Sequence, residues 1–271
     1  MENLENASDL RTKPFITGII YLCFLIGLGL VLTLTYYLST KKAINKTIIT
    51  YNLNYQNQGQ SPDNLLISPD FFNQKKEIDF LESKYLLAKN DSVGLIINLD
   101  DSTLSLQLKG IMLHSAKIYE FTTGSFFSAL NPSVYLNIFS KPWTIVNHYG
   151  TVVKEPITVK NAPKDTIEAQ NAVSTMPDTT IQHLSNVVLL AENGIQIMLI
   201  QQNDTTPNQK TNWAFVFNER WKLFETNFSR LVHLSLPEYI PTIKIIASEN
   251  DIKTIYRSLP EHPQVVIYLN D

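Results

Sequence analysis

The chain has 271 residues, of which 44% are hydrophobic and 10% aromatic, and its formal net charge is −3 at pH 7. A chain of this length can build one or two hydrophobic cores, and a weak negative charge with scattered Lys and Arg argues against nucleic acid as a partner. Cys23 is the single cysteine, which excludes an intrachain disulfide, a Cys-rich zinc site and a CxxC redox motif.

An uncharged apolar run occupies residues 15–38, FITGIIYLCFLIGLGLVLTLTYYL. At a helical rise of about 1.5 Å per residue, this run spans a hydrocarbon core about 30 Å thick. It is longer than the apolar core of a signal peptide, and Lys41 and Lys42 follow Tyr36 and Tyr37 at its end. Tyrosine and lysine suit the headgroup level, so the pattern predicts an uncleaved transmembrane helix over residues 15–38. We expect Cys23 to face lipid or another helix.

The charges on either side of this run bear on its orientation. Residues 1–14 form a short N-terminal tail in which Arg11 and Lys13 are diluted by three acidic residues, whereas three lysines follow the run. The positive-inside rule therefore favours a cytoplasmic C-terminal domain by one residue. The plan of a short head, a single anchor and a large domain favours export of that domain. We predict a single-pass protein of the bacterial inner membrane with its C-terminal domain in the periplasm.

Residues 39–90 are predicted to form a linker and an amphipathic helix. The segment 51–64, YNLNYQNQGQSPDN, is polar and has no apolar periodicity, so we expect a tether. The Ser-Pro-Asp sequence at 68–70 is a helix-start signal, which predicts a helix from about 70 to 88. The apolar residues near helical spacing in this helix are Phe72, Ile78, Leu81, Tyr85 and Leu86. We expect the helix to pack on the following domain, with contact to a partner as the alternative.

From residue 93 the apolar period changes to two, which is typical of a half-buried strand. Leu104, Leu106 and Leu108 share one face, a Lys109-Gly110 turn follows, and a second strand is predicted over 111–118. Further short strands are predicted for VYLNIF, WTIVNHYG, TVVKEPITVK, VVLLAENGIQIMLIQQ and WAFVFN, with 161–180 as a surface excursion. Many short strands with Pro-rich and Asn-rich breaks indicate an antiparallel sandwich or a barrel-like domain.

The segment 219–234, ERWKLFETNFSRLVHL, returns to helical spacing. Trp221, Phe224, Phe228 and Leu231 fall on one face of the predicted helix. We expect this face to lie in the core of the domain.

Two segments resemble the catalytic domains of L,D-transpeptidases. LIINLDDSTLSLQLKGIMLHSAKI, residues 95–118, is similar to their opening hairpin, in which a strand with a D/N-x-x-x-x-x-L-x-L pattern turns at a glycine. IKIIASENDIKTIYRSLPEHPQVVIYL, residues 243–269, is similar to their closing segment, in which a Ser-His-Gly-Cys-Ile-Arg-Leu type motif precedes an acidic helix start and a final strand. The resemblance covers about 50 of the 271 residues. It implies that residues 91–271 form an L,D-transpeptidase-like β sandwich with a few helices, giving a mainly β fold preceded by one transmembrane helix.

The residues that carry the chemistry of that family are replaced here. The resemblance places Thr242 where the nucleophilic Cys stands, and the Tyr-Ile-Pro sequence at 239–241 over the Ser-His-Gly of the motif. A threonine hydroxyl needs an adjacent base to act as a nucleophile, and no His lies beside Thr242 in the sequence. His233 is nine residues upstream, and we expect it to be a structural or surface residue. We therefore predict that the protein is not an enzyme.

The remaining candidate residues carry weaker signals. Four histidines are isolated and lack any metal-binding spacing: His114, His148, His183 and His262. Asp100 and Asp101 precede a predicted strand, where carboxylates commonly shape a turn, and Glu261 lies in a Pro-bracketed loop with His262. We predict no catalytic, cofactor-binding or metal-binding residue, and no cofactor.

These inferences favour an envelope protein with a pseudoenzyme domain, which binds a protein partner or peptidoglycan within an inner-membrane assembly. The alternative is a scaffold subunit of a secretion, gliding-motility or division machine with an unrelated β domain. A hydrolase or transferase with an unrecognised site would need a cluster of perturbed titratable groups in a pocket. Under the favoured interpretation, residues 93–118 and 242–269 belong to one β domain.

Overall fold

The computed structural model describes residues 5–56, 68–154, 184–202, 209–233 and 235–269. The helices in these ranges are α1 (Glu5–Gln56), α2 (Pro69–Ala88), α3 (Ser125–Ser128), α4 (Pro132–Phe139), α5 (Gln209–Val232) and α6 (Glu249–Ser258). The strands are β1 (Gly94–Asn98), β2 (Thr103–Leu108), β3 (Ile111–Thr123), β4 (Trp143–Gly150), β5 (Val187–Ala191), β6 (Gln196–Gln201), β7 (Thr242–Ala247) and β8 (Gln264–Tyr268).

The chain divides into two compact units. The anchor unit consists of the described residues up to Thr47 and the segment Leu223–Tyr239. The barrel unit consists of the described residues of Ile48–Lys222 and of the segment that begins at Ile240. All eight described strands belong to the barrel unit.

The strands of the barrel unit close into a barrel in the order β1-β2-β3-β7-β6-β5-β4-β8. Among these pairings, β1 with β8 and β6 with β7 are parallel, and the others are antiparallel. The prediction of a mainly β domain after one long apolar helix is confirmed. The expectation of antiparallel pairing throughout is wrong for the two parallel pairs, because parallel neighbours require long connections that strand periodicity does not reveal.

The two segments that carry the resemblance lie in this one barrel. β1 pairs with β8, and β3 pairs with β7 over Ile118–Thr123 and Ile243–Ala247. The prediction that residues 93–118 and 242–269 share a β domain is therefore confirmed. The core follows the strand period, since the alternate residues Ile243, Ile245 and Ala247 of β7 are fully buried.

The hairpin of β2 and β3 is confirmed, with Lys109 and Gly110 in the turn. Both turn residues have positive φ, which favours a glycine at position 110. Leu104 and Leu106 are buried, whereas Leu108 at the tip is half-buried.

Helix α2 confirms the helix predicted over 70–88, but its inward face is not the predicted one. Phe80, Ser83 and Leu87 are buried, and the ring centroids of Phe80 and Tyr268 of β8 lie 4.8 Å apart. Ile78 and Leu81, which we expected to pack on the domain, are exposed. The predicted apolar residues do have helical spacing. The face that is buried also contains small and polar side chains, and a search for apolar residues does not include them.

Two predicted strands are helical. VYLNIF lies in α4, which starts with Asn131 as N-cap and Pro132 in its first turn, and its apolar residues are almost continuously buried. WAFVFN lies inside α5. A short apolar run fits a buried helix as well as a strand, so periodicity alone misassigns it. Residues 151–154 of the predicted strand TVVKEPITVK are not in a strand, and its remainder and the surface excursion at 161–180 lie outside the described residues.

Helix α1 continues to Gln56, so the first residues of the predicted tether are helical. The Tyr51 hydroxyl donates to the carbonyl of Asn193, and its ring centroid lies 5.0 Å from that of Phe126. The backbone N–H of Asn131 donates to the side-chain oxygen of Asn52 at 3.3 Å. The expectation of a free tether is therefore wrong for this part, because Tyr51 and Asn52 pack within the barrel unit. The rest of the tether lies outside the described residues.

Within the described residues, one helix is long and apolar enough to cross a membrane. This stretch of α1, Gly18–Asn54, has a mean hydropathy of 2.3 in its most apolar window, and none of that window is buried. An exposed helix of this kind fits the predicted single-pass membrane protein.

The second predicted amphipathic face, on α5, is not in the core. Trp221, Phe224 and Phe228 are 54%, 37% and 48% exposed. The helical spacing of the prediction is correct, but the expectation that this face is buried is wrong, because these three side chains stay exposed to solvent over a third to a half of their surface.

Candidate functional site

Thr242, the residue that the resemblance aligns with a nucleophile, is the first residue of β7. It pairs with Gln196 at the start of β6, whose backbone N–H donates to the carbonyl of Pro241 at 2.8 Å. The Thr242 hydroxyl lies 3.0 Å from the carbonyl oxygen of Ile240 and 3.3 Å from Oε1 of Gln196. Among the described residues, these neutral acceptors are its hydrogen-bond partners, and neither can remove the hydroxyl proton.

The backbone beside Thr242 is also unsuited to acyl transfer. Pro241 is buried and carries no N–H that could bind a developing oxyanion. His233, the closest histidine in the sequence, belongs to the anchor unit, whereas Thr242 belongs to the barrel unit. His233 is exposed, and its backbone N–H donates to the carbonyl of Ser229 at 3.2 Å.

His114 joins the opening hairpin to the helix that follows β7. Its Nε2 lies 2.9 Å from Oδ1 of Asp251 in the first turn of α6. The N-cap residue Ser248 accepts a hydrogen bond from the Asp251 backbone N–H at 3.2 Å. His114 thus extends a helix cap and holds the β3 strand against α6.

Asp100 and Asp101 lie in a turn, as predicted. The side-chain oxygen of Asn98 accepts from their backbone N–H groups at 3.1 and 3.2 Å. The next residue, Ser102, has a φ of 53°. The Asn98 side chain therefore organises the β1–β2 connection, and its amide also donates to Oδ2 of Asp101 at 2.5 Å.

A cluster that sequence reasoning missed joins β4 to α6. Nδ1 of His148 lies 2.9 Å from the hydroxyl of Tyr256. Nζ of Lys154 lies 5.2 Å from the ring centroid of Tyr256 and donates to the carbonyl of Pro260 at 3.1 Å. His148 and Tyr256 are separated by 108 positions in the sequence, so a single sequence gives no local signal that could have brought them together.

Burial shifts the pKa values of the side chains in this cluster. Burial lowers the pKa of His148, and the charge of Lys154 lowers it further. Burial also lowers the pKa of Lys154, while Glu261 opposes that shift. The pKa of Tyr256 is raised by burial. The arrangement is a neutral imidazole hydrogen-bonded to a phenol, with an ammonium over the ring, and it pins α6 onto the barrel.

His262 lies beside this cluster in the Pro-bracketed loop that precedes β8. Its Nδ1 is 3.3 Å from the carbonyl oxygen of Ile145 in β4. Glu261 and His262 are both exposed, which agrees with the solvated loop expected from the sequence. His183 lies outside the described residues.

A small cleft lies where α2 packs against α4 and β8. Its lining includes Lys76, Asp79, Tyr135, Tyr268 and Leu269. Lys76 is buried, with Nζ 5.1 Å and 5.2 Å from the ring centroids of Phe72 and Tyr135.

The charges and polar groups of this cleft have partners within the protein. Asp79 forms an ion pair with Lys75 at 2.6 Å. The Tyr135 hydroxyl donates to the carbonyl of Leu269 at 2.5 Å. The cleft is below the usual size of a small-molecule pocket, so it is best described as the packing seam of α2.

The described residues contain no group of three or more His, Cys, Asp or Glu side chains that could hold a metal ion. Comparisons with family models, curated proteins and solved structures gave no match for this chain.

Proposed function

We propose that this protein is a membrane-anchored envelope protein whose barrel is an L,D-transpeptidase-like domain without catalytic chemistry. In this proposal α1 lies in the bacterial inner membrane, the barrel lies in the periplasm, and the domain binds a protein partner or peptidoglycan within an inner-membrane assembly. The observation that carries the proposal is the position of Thr242, whose hydroxyl is hydrogen-bonded to neutral acceptors where acyl transfer would need an activated nucleophile.

The chemistry of acyl transfer supports this proposal. The reaction requires a nucleophile activated by a base and backbone donors that bind the oxyanion. In the described barrel residues, Thr242 has no imidazole as a hydrogen-bond partner, and Pro241 removes one backbone donor. The His148 cluster does not replace this machinery, since its groups are hydrogen-bonded to one another and to backbone carbonyls.

Exposed apolar side chains in the barrel unit support a role in binding. Ile111, Met112 and Leu113 at the tip of the hairpin are all more than half exposed. On α2, Ile78 and Leu81 form part of a second exposed apolar stripe. Contiguous exposed apolar residues on a folded domain commonly mark interaction surfaces.

Purification from detergent-solubilised membranes, with the anchor intact, tests the proposal. Wild type and Thr242→Ala are expected to retain the same partner, whereas a double variant with Ile111→Ser and Leu113→Ser is expected to lose most of it. Glu120→Ser on the same strand is the matched control and is expected to behave as wild type. Sedimentation with purified sacculi distinguishes peptidoglycan from a protein partner.

The outcomes separate the proposal from its alternatives. Loss of the partner in the Thr242→Ala variant would contradict a role without chemistry. A stable assembly with components of a secretion, motility or division machine, formed by a barrel that no peptidoglycan fragment binds, would favour the scaffold alternative.

A further inference from the structure

The end of α5 presents an apolar face that stays largely exposed in the described part of the anchor unit. Phe224, Phe228 and Val232 follow one another at helical spacing, and all three are exposed. Leu236, in the segment that follows the helix, is exposed as well. Exposing an apolar face of this kind to water is unfavourable in free energy, so we asked what surrounds it in the membrane-anchored protein.

This face touches the membrane-spanning helix at a defined level. The ring centroids of Tyr36 and Phe224 lie 5.3 Å apart, and the rings of Phe224 and Phe228 stack with centroids 5.9 Å apart. Tyr36 lies at the end of the apolar run, and Nζ of Lys41 lies 4.8 Å from the ring centroid of Tyr37. Tyrosine and lysine at this position mark the headgroup level of a bilayer. Where α1 crosses a bilayer over this run, the exposed rings begin at the headgroup level.

The chain after α5 is fixed to the same helix. The buried side chain of Asn227 accepts from the backbone N–H of Glu238 at 2.8 Å and donates to its carbonyl at 3.1 Å. Arg230 forms an ion pair with Glu238 at 2.5 Å. These contacts hold the segment that contains Leu236 against α5. Asn227 and Arg230 thus bond to Glu238, while Phe224, Phe228 and Val232 stay exposed.

We propose that residues 223–233 and 235–236 form an interfacial element that lies on the bilayer, with Phe224, Phe228, Val232 and Leu236 at the boundary between headgroups and acyl chains. This inference rests on the part of the proposed function in which α1 crosses the membrane. An amphipathic helix binds a membrane surface by burying its apolar face about 5–10 Å into the boundary between headgroups and acyl chains. The element contains Arg230 together with Glu225, so apolar burial rather than attraction to anionic lipid provides the binding.

The contact between this element and α1 favours lipid over a second protein as the group that covers the apolar face. The anchor already holds this element at the membrane surface, so docking there requires no separate encounter. A protein partner or a second copy of the chain would have to compete with lipid for the same face.

Site-directed spin labelling of the full chain in phosphatidylcholine vesicles tests the inference. In a Cys23→Ser background, three variants each carry one label: Phe228→Cys on the apolar face, Thr226→Cys two residues earlier, and Leu28→Cys in the span. Thr226 is exposed and lies about 200° around the helix from Phe228, at nearly the same position along the helix axis, so it faces away from the proposed membrane surface. Collisions with membrane-dissolved oxygen and with an aqueous nickel complex report the surroundings of each label.

The label at position 228 is expected to be severalfold more accessible to oxygen relative to nickel than the label at 226, and adding anionic lipid is expected to leave this ratio unchanged. Equal nickel access at 228 and 226 would overturn the inference, because the face would lie in water. Protection of position 228 from both reagents would overturn it in favour of a protein partner. The label at position 28 tests the premise separately, since nickel access there would mean that α1 does not cross the membrane.

Discussion

Leu95 of β1 pairs in parallel with Val265 of β8, so the strands at the two ends of the domain lie side by side in the barrel. Both side chains are fully buried. Parallel neighbours need a long connection, and here nearly the whole domain lies between the paired residues. The closure of the barrel therefore depends on a contact between residues 170 positions apart in the sequence.

The first prediction concerns this contact. Leu95→Ala is expected to destabilise the barrel by about 2–5 kcal/mol, because it removes buried methyl groups and leaves a cavity. Ile111→Ala on the exposed hairpin tip is the matched control and is expected to change stability by less than about 0.5 kcal/mol. Urea unfolding of the full chain in detergent, followed by near-ultraviolet circular dichroism, measures both. Equal midpoints for the two variants would show that β1 does not lie in the core.

The second prediction concerns topology. A reporter that is active outside the cytoplasm, fused after Asp271, is expected to be active, because the plan of a short head, one anchor and a large domain favours export of that domain. The same reporter fused at the N-terminus is the control and is expected to be silent. A silent C-terminal fusion, with a cytoplasmic reporter active at the same site, would reverse the orientation.

The third prediction is a pH dependence of stability. Because the pKa of His148 is lowered in the folded protein, the unfolded chain binds the proton more tightly. The stability contributed by the neutral imidazole is therefore complete above the unfolded pKa of about 6.5, and it is lost as the pH falls below that value toward the folded pKa. His148→Gln is expected to flatten this part of the stability profile between about pH 7 and pH 5.

The control for this prediction is His233→Gln, since His233 is exposed. The slope of its profile should equal that of wild type. A wild-type profile that rises as the pH falls through this range would contradict the assignment of a neutral His148.

The fourth prediction concerns the chemistry that the domain lacks. Thr242→Cys alone is expected to remain inactive toward peptidoglycan stem peptides, because the new thiol would still have Ile240 and Gln196 as neighbours instead of an imidazole. Pro241 would still provide no N–H for the oxyanion. Detection of a covalent acyl adduct on the introduced thiol, by mass spectrometry of the purified full-length variant, is the measurement that could refute this expectation.

The secondary structure was predicted most accurately where apolar periodicity and capping residues indicate the same element. The β2–β3 hairpin, α2, and the strand, helix and strand from Thr242 to Tyr268 all lie where the residue patterns indicated. The short apolar runs VYLNIF and WAFVFN were misassigned because an apolar run of six residues fits a helix as well as a strand. The pattern on α5 gave the correct face, but a pattern does not say whether protein, lipid or water covers it.

At the candidate site too, local features were predictable from the sequence and long-range contacts were not. The sequence was sufficient to predict that Thr242 lacks a neighbouring base along the chain. Its hydrogen bond to Gln196 and the pairing of His148 with Tyr256 depend on barrel closure. Contacts between distant positions of this kind leave no mark in one sequence, so the polar cluster at β4 and α6 could not be predicted.

The most direct test of a role without catalysis is to replace Thr242 in cells that depend on this protein. We predict that Thr242→Ala supports the same growth and the same membrane assembly as wild type, with an unchanged unfolding midpoint of the purified chain. If Thr242→Ala abolishes function while the midpoint stays that of wild type, residue 242 is a working nucleophile and the domain is an enzyme.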